Sequence, residues 1–555
     1  MPKKYLSRCL VISLFCCSIF GYARQDSLNR VISERLIGEY WVYNAWLKPY
    51  FIVSPDNTRV AWVMEAEKSN RLAVFIDGKP EQKTLEGIGQ GTLKFSPDSK
   101  RVFYGGVIGG KSFIVVDGKE EKSYDGIGDG YPIFSSDSKR MAYWAMFGHA
   151  IGKKQFFVVV DGKEEGPYDG IGRDNLVFSP DGKRLAYKAK LGNKWLVGVG
   201  GKQEKLYDDI GDNSPVFSPD GARVAYEAKL GKKWFVIVDG KEDQQYDDIG
   251  EDSPIFSPDG AHVAYEAKLD KKWFIVVDGK EEKQYDDIGE DGPFFSPDSK
   301  RLAYRAKLGK WLVVIDGKEE KLYDAIGEGS PVFSPDGARV AYRARLGLKW
   351  FVVVDGEEEK QYDKIEKGSP IFSPDSKHVV YRAQSGDKWF LVVDGKEEGP
   401  YDAIEKGDPI FSSDGTRMVY RARLGLKWFV VVDGKREKQY DAIMKDTPIF
   451  SPDGKRVAYG TRLVDKAYMI VDGKEEKQYD NIAENSPAFS PDSKRLAYSA
   501  EARGKWFVVV DGKEGKPYDG IVNLGGGRII FDSPDSLHYF AAKDLNIYFV
   551  EEMIK

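Results

Sequence analysis

The chain writes nearly the same sentence many times over. "SPVFSPDGARVAYRARLGLKWFVVVDG" at residues 330–356 returns as "DPIFSSDGTRMVYRARLGLKWFVVVDG" at 408–434, twice 39 residues further on. The Asp of a Ser-Pro-Asp or Ser-Ser-Asp motif recurs at Asp56, Asp98, Asp137, Asp181, Asp220, Asp259, Asp298, Asp336, Asp375, Asp414, Asp453, Asp492 and Asp535. Most steps are 39 residues, so one structural unit has been copied thirteen times. A period of that size marks solenoids, propellers and arrays, because such a unit cannot bury its apolar faces alone.

Each unit reads as four short strands. Within 253–289, "SPIFS" is the first and "HVAYEAK" the second, joined by "PDGA". "WFIVVDG" is the third and "KEEKQYDDIG" the fourth. Asp-Gly is a strong hairpin signal, since both central residues of the turn need positive φ. It divides the third and fourth strands from Asp77-Gly78 to Asp511-Gly512, with Gly200-Gly201 in the fourth unit. In Ser-Pro-Asp-Gly, Pro fixes φ and Asp bonds its own backbone. The third strand, as in "WFVVV" at 350–354, is apolar on both faces and demands a neighbour on each side. Radial stacking provides both neighbours, which is a β-propeller. The charges of "KEEKQY" suit an exposed outer edge, where they discourage pairing with another chain.

"PVFSPDGARVAY" at 331–342 resembles the repeat of TolB-type, WD-repeat-like propellers, and is similar to blades in the propeller domains of prolyl oligopeptidases. The resemblance covers residues 48–550 and implies an all-β propeller of 13 four-stranded blades. It implies a fold rather than an activity. TolB itself carries an α/β domain ahead of its propeller, for which residues 24–47 leave no room, so the resemblance is to the family and not to TolB.

Propellers typically have 4–8 blades. Thirteen units therefore suggest two tandem propellers, seven blades over 48–329 and six over 330–555, with one large ring as the alternative. The division follows a change after the fourth strand: Ile-Gly stands at 88–89, 127–128, 171–172, 210–211, 249–250, 288–289 and 326–327, whereas Ile365-Glu366 and its successors lack the Gly. The last unit stops without a fourth strand, and "GEYWVYNAW" at 38–46 is a candidate to complete it. That closure fits one ring, or two rings through which the chain passes out and back.

Lys3, Lys4 and Arg8, the apolar run 9–20 and Gly21-Tyr22-Ala23 have the form of a secretory signal peptide over 1–23. All three cysteines fall inside it, so the mature chain has no thiol for disulfides, nucleophilic catalysis or metal. Losing three cations and no acid with it takes the net charge from -5 to -8. Interspersed Lys and Glu at that balance leave no basic footprint for nucleic acid, and no later run is long and apolar enough to span a bilayer. The expected location is the periplasm, with the extracellular space second.

Catalytic signatures are missing: no Gly-x-Ser-x-Gly elbow, no HExxH and no histidine cluster. The expectation is accordingly no enzyme, no cofactor and no metal. Of His149, His262, His378 and His538, the middle two fall where Arg223 and Arg339 stand in other units and read as solvated strand residues. The repeated Asp reads as a turn former, and a sialidase-type Asp-box fails because Gly follows Asp directly. Trp195, Trp234, Trp273, Trp311, Trp350, Trp389, Trp428 and Trp506 open the third strand in their units, and Tyr recurs in Tyr-Asp, as at Tyr246-Asp247. Identical placement assigns both series to packing between blades.

The loop from the fourth strand to the next first strand varies while the strands hardly change. It presents Asp212, Glu251, Asp252, Glu290, Asp291 and Glu328, then Glu366-Lys367, Glu405-Lys406 and Lys445-Asp446. The six acids form a candidate acidic mouth for a cationic partner, set against the plainer reading of a soluble mixed-charge rim. A longer segment at 144–155 is a candidate contact loop. The sequence thus predicts an exported, non-enzymatic β-propeller that binds or scaffolds a protein or extended polymer. The alternatives are a glycan- or peptide-acting enzyme using channel carboxylates and a structural envelope protein.

Overall fold

A computed structural model describes residues 24–25, 30–39, 51–66, 71–81, 83–89, 91–128, 132–148, 154–172, 176–213, 215–407, 409–484, 486–522 and 527–555. The signal-like segment 1–23 and residues 149–153 of the 144–155 insertion lie outside these. The described residues form thirteen antiparallel sheets and no helix. Blades are numbered 1–13 here by their second strands: Val60–Glu65, Val102–Ile108, Met141–Phe147, Leu185–Leu191, Val224–Leu230, Val263–Leu269, Leu302–Leu308, Val340–Leu346, Val379–Ser385, Met418–Leu424, Val457–Leu463, Leu496–Ala502 and Ser536–Lys543.

Blade 5 shows the pattern. Its innermost strand is split into Asp209–Ile210 and Val216–Phe217, both paired with the second strand Val224–Leu230. The third strand, Lys233–Val238, and the short fourth, Lys241–Glu242, complete the sheet. This corrects the division read from sequence. The Asp-Ile that ends "KEEKQYDDIG" belongs to the next blade's inner strand, and the fourth strand is two residues plus a bridge from Tyr246 to Trp234. Between the halves Asp212 and Asn213 turn out of the ladder at the inner edge. Turn chemistry is as expected: Asp239 and Gly240 both have positive φ, 52° and 77°.

Each sheet is clamped by its neighbours. Val236 and Tyr246 pack with Ile249, Val263, Tyr265, Phe274 and Val276 across the joint between blades 5 and 6. Polar staples repeat beside this core. Arg223 donates to Asp239 of its own blade at 3.0 Å, reaches the Ala261 carbonyl of the next at 2.6 Å, and lies over the Phe256 ring. Asp208 accepts from Lys194 behind it and from the Gly231 amide ahead. Tyr207 and Tyr226 donate to Glu242 and Glu204 across the same joint. These repeated polar contacts tie each blade to the next beside the apolar core.

One ring results. Ile326 of blade 8 packs with Ala303, Val313 and Tyr323 before it and with Val340 and Phe351 after it, so no gap falls near residue 329. Blade 13 meets blade 1 through Phe540, Phe549, Val60 and Trp62, with His538 Nε2 3.1 Å from the Asp56 carbonyl. The expected division into 48–329 and 330–555 is therefore replaced by its alternative, a single ring of thirteen. The Ile-Gly change marks no boundary: the Glu366 and Glu405 amides bond the Arg382 and Arg421 carbonyls just as those of Gly289 and Gly327 bond the Arg305 and Arg343 carbonyls.

The closing strand comes from a different place than expected. Arg30–Glu39, not 38–46, pairs antiparallel with Asn546–Ile554 as the fourth strand of blade 13, and Arg24–Gln25 pairs outside it. Residues 40–46 of the expected strand lie outside the described residues. Arg30 is 2 % exposed and bonds Glu552 at 2.8 Å, while Tyr539 donates to the same carboxylate at 2.6 Å. No helix among the described residues is long and apolar enough to cross a membrane.

Candidate functional site on the channel wall

Sheets stack about 10 Å apart face to face, so thirteen of them enclose a mean circumference of roughly 130 Å. Subtracting half of a four-stranded sheet leaves a channel of about 20 Å or more, wide enough for an extended chain or a helix. Its wall is the split inner strand with its looped residues.

Directly behind each loop stands the residue after the buried Tyr of the second strand. In blades 4 to 10 this position reads Lys188, Glu227, Glu266, Arg305, Arg343, Arg382 and Arg421. On either side of that run it is uncharged: Gly105 and Trp144 before, Gly460, Ser499 and Phe540 after. Seven adjacent blades therefore carry a charge where burial is expensive.

The cations span joints. Lys188 donates to the Ile210 carbonyl at 2.5 Å, with Asp212 at 3.5 Å and Asp209 at 3.7 Å, all on blade 5. Arg305 bonds Asp291 at 2.5 Å and points its other nitrogen at the Ile326 carbonyl, 3.4 Å away. Arg343 reaches Ile365 O at 3.0 Å, and Arg382 reaches Glu405 O at 2.6 Å. The two acids behave differently. Burial, with Asp248 and Asp212 beside it, pushes the Glu227 carboxyl up to about 8. Burial and Asp287 push Glu266 up to about 8 as well. Both groups are largely protonated near neutrality, each a carboxylic acid able to donate as well as accept.

All six acids expected at the mouth lie on these inner loops and are exposed. The loops link blade to blade: Asn213 donates to Asp252 at 2.7 Å, the Gly329 amide to Asp291 at 3.0 Å, and Lys367 to Glu328 at 2.8 Å. The last bond holds Glu328 below the usual carboxylate range. At Glu366 burial pushes upward, but the bond from Lys364 and the nearby Arg382 prevail and keep its carboxyl low. Further round, where Gly460 ends the charged run, a cavity of about 990 Å³ opens between the inner strands of blades 10 and 11, lined by Phe411, Arg421, Lys445, Thr447 and Pro448.

What sequence reasoning missed is the charged row behind the loops. Its signal was present: Tyr-Lys, Tyr-Glu, Tyr-Glu and Tyr-Arg in successive units, a second-strand position whose charge reverses between neighbouring blades. His262 and His378 are not in the strands as expected but stand one residue ahead of Val263–Leu269 and Val379–Ser385, paired with Asp278 and Asp394, each at 2.7 Å. The remaining candidates fall as read. Trp195 packs under Lys188 and Lys190 at the joint. Ser218 and the Ala222 amide bond Asp220 within its turn. Among the described residues no three His, Cys, Asp or Glu side chains converge as metal ligands.

No protein-family model matches the chain, and no curated protein does. Among solved structures the resemblances are distant. A eukaryotic initiation factor aligns with 61 % of this chain and 94 % of its own at 14 % identity, TM-score 0.32. The β-propeller domain of the trilobed protease from Pyrococcus furiosus aligns with 52 % of this chain and 97 % of its own at 17 % identity, TM-score 0.23. The tricorn protease covers 80 % of this chain with 54 % of its own at 15 % identity, TM-score 0.20. The chain is a β-propeller repeat protein, established by its own thirteen sheets.

Proposed function

We propose that the chain is an exported, non-enzymatic ring that binds or scaffolds an extended protein or polymer on its channel wall. One observation supports this reading above others. Side chains common to all units are committed to joints and turns, whereas the residues that differ between units gather on the inner loops and directly behind them. Variation concentrated on one concave face of a rigid scaffold is how such folds carry specificity. The TolB-type form of the repeat and the signal-like residues 1–23 support a setting in the cell envelope, the periplasm ahead of the extracellular space.

The test is a photo-crosslinking residue at Glu251, on an inner loop, compared with Lys283, on an outer edge, in living cells. The expected result is a discrete adduct from position 251 alone. Equal capture at both positions, or none at either, would reject the reading. A second reading, glycan or peptide hydrolysis, draws on the raised carboxyls of Glu227 and Glu266, since perturbed acids cluster at catalytic sites. Turnover of a cell-wall glycan and peptide panel, lost in Glu227→Gln or Glu266→Gln, would favour it instead.

A further inference from the structure

The joints between blades 4 and 8 offer an internal comparison. At joint 4–5 the chain inserts its own ammonium, Lys188, into a frame made by the Ile210 carbonyl, Asp209 and Asp212 of the following blade. At joint 7–8 Arg305 fills the same place, aimed at the Ile326 carbonyl and held by Asp291. The frame repeats at joints 5–6 and 6–7, where Asp248-Ile249 and Asp287-Ile288 follow the same register. There, however, the chain supplies a carboxyl in place of the cation: Glu227 and Glu266.

Glu266 is the clearer of the two. Its residue is 6 % exposed, and its Oε1 is buried with no hydrogen-bond partner. The carboxyl lies between two inner loops. A Cβ on Gly292 of blade 7 would sit 3.6 Å from Oε1, and Gly250 of its own blade faces the other oxygen. The groups around it are Asp252 on its own loop, Asp287 on the next inner strand, Asp291 on the next loop, and Arg305, whose guanidinium is engaged by Asp291. Three acids and an unpartnered carboxyl oxygen thus surround a place that a cation occupies in the neighbouring joints. No three carboxylates converge as metal ligands among the described residues. The fitting cation is accordingly one borne on a long thin side chain, the kind the protein itself uses at Lys188.

We propose that joints 5–6 and 6–7 are seats for lysine or arginine side chains of a partner segment lying in the channel, with Glu266 at the floor of one seat and Asp252 and Asp291 at its mouth. The inference rests on the channel-binding reading and names its partner as a cationic polypeptide. Arrival of the cation favours the ionised carboxylate, so binding expels a proton from Glu266.

The probe is a hexalysine peptide titrated calorimetrically into the full chain, in two buffers of different ionisation enthalpy, at pH 6.5 and 8.5. The expected result is tighter binding at pH 8.5 and proton release at pH 6.5. Glu266→Gln, which mimics the protonated state and so preserves the fold, should weaken binding tenfold or more and reduce the released protons. Glu251→Gln with Glu290→Gln, which alters neither set of acids beside Glu227 and Glu266, should instead reduce affinity in a salt-dependent way while leaving proton release intact. Absence of hexalysine binding overturns the proposal, as does undiminished affinity with unchanged proton release in Glu266→Gln. Calcium competing fully at millimolar concentration would also overturn it in favour of a metal site. If the crosslinker at position 251 still captures a partner while hexalysine fails, the seat is wrong and channel binding stands.

Discussion

At the scale of single residues, the polar side chains of each unit divide into those that build joints and those that are exempt from building. Asp220 is held below the usual carboxylate range by Ser218 and the Ala222 amide, as Asp181 and Asp259 are by their own serine and turn amide, which marks it as a turn acid. Glu227 and Glu266 are displaced the other way, and that has a consequence for stability. In the unfolded chain such a carboxyl ionises near 4.5; in the ring it ionises near 8. Between those values the native state binds the extra proton, so these two groups contribute most below pH 4.5, and that contribution is lost as pH rises through 8. Each unit of displacement is worth about 1.4 kcal/mol. The urea midpoint of the wild type should therefore fall from pH 5 to pH 8.5 more steeply than that of the Glu227→Gln, Glu266→Gln double variant. Parallel profiles would show that neither acid is held neutral by the fold. The turn acids and packing aromatics were legible in the sequence because a residue repeated at a fixed place in a fixed turn has a local explanation. The charged row left only a trace, a reversing charge after Tyr, because its meaning depends on which inner loop lies over it, and that the folded ring alone fixes.

At the scale of the strand and hairpin, the second and third strands announced themselves, whereas the inner, outer and closing strands did not. Asp-Gly turns and apolar third strands are local signals and appear where the sequence put them. The inner strand escaped because Asp209–Ile210 and Val216–Phe217 are each only two residues long, and the intervening loop reads as a connection between blades. What makes the two halves one strand is their shared register on Val224–Leu230, a tertiary fact. The hairpin turns give a direct test: Gly240 has φ of 77°, where a Cβ costs about 1–2 kcal/mol. Gly240→Ala should lower the stability of blade 5 by that amount, read as faster amide exchange in Lys233–Val238 than in the equivalent strand of blade 8. The closing strand carries more. Arg30→Ala leaves Glu552 buried without its cation, a loss of about 3–5 kcal/mol. Amide exchange in Asn546–Ile554 and Arg30–Glu39 should rise sharply while blades 5 to 9 stay protected. Uniform exchange around the ring would mean that the latch does not govern closure.

At the scale of the whole molecule, the repeat encodes a joint, and the ring is what thirteen equivalent joints add up to. The number of blades was legible as a count of units, but their arrangement was not. Whether thirteen units close once or twice depends on a small rotation per joint, set by side-chain volumes at the inner and outer ends of each sheet, and no periodicity displays it. The loss of glycine after Ile326-Gly327 looked like a domain boundary, yet Ile326 sits in a cluster continuous from Ala303 to Phe351. Small-angle scattering should accordingly show one wide annulus; two adjoining discs would refute the single ring. Equivalence of the joints permits a stronger test. Deleting residues 378–416 joins Lys377 to Arg417, restoring the motif at the splice and removing one complete unit. If the joints are interchangeable and each can turn slightly further, the shortened chain closes on the same Arg30–Glu39 strand as a ring of twelve, with a narrower channel and intact protection of Asn546–Ile554. If instead the rotation at each joint is fixed rigidly by its packing, the shortened chain cannot close, the blade 1 and blade 13 faces joined through Val60, Trp62 and Phe540 become exposed, and it associates through them. Association of the shortened chain alone, with the parent remaining a single species, would show that the circumference is dictated by the individual joint and not by the closing strand.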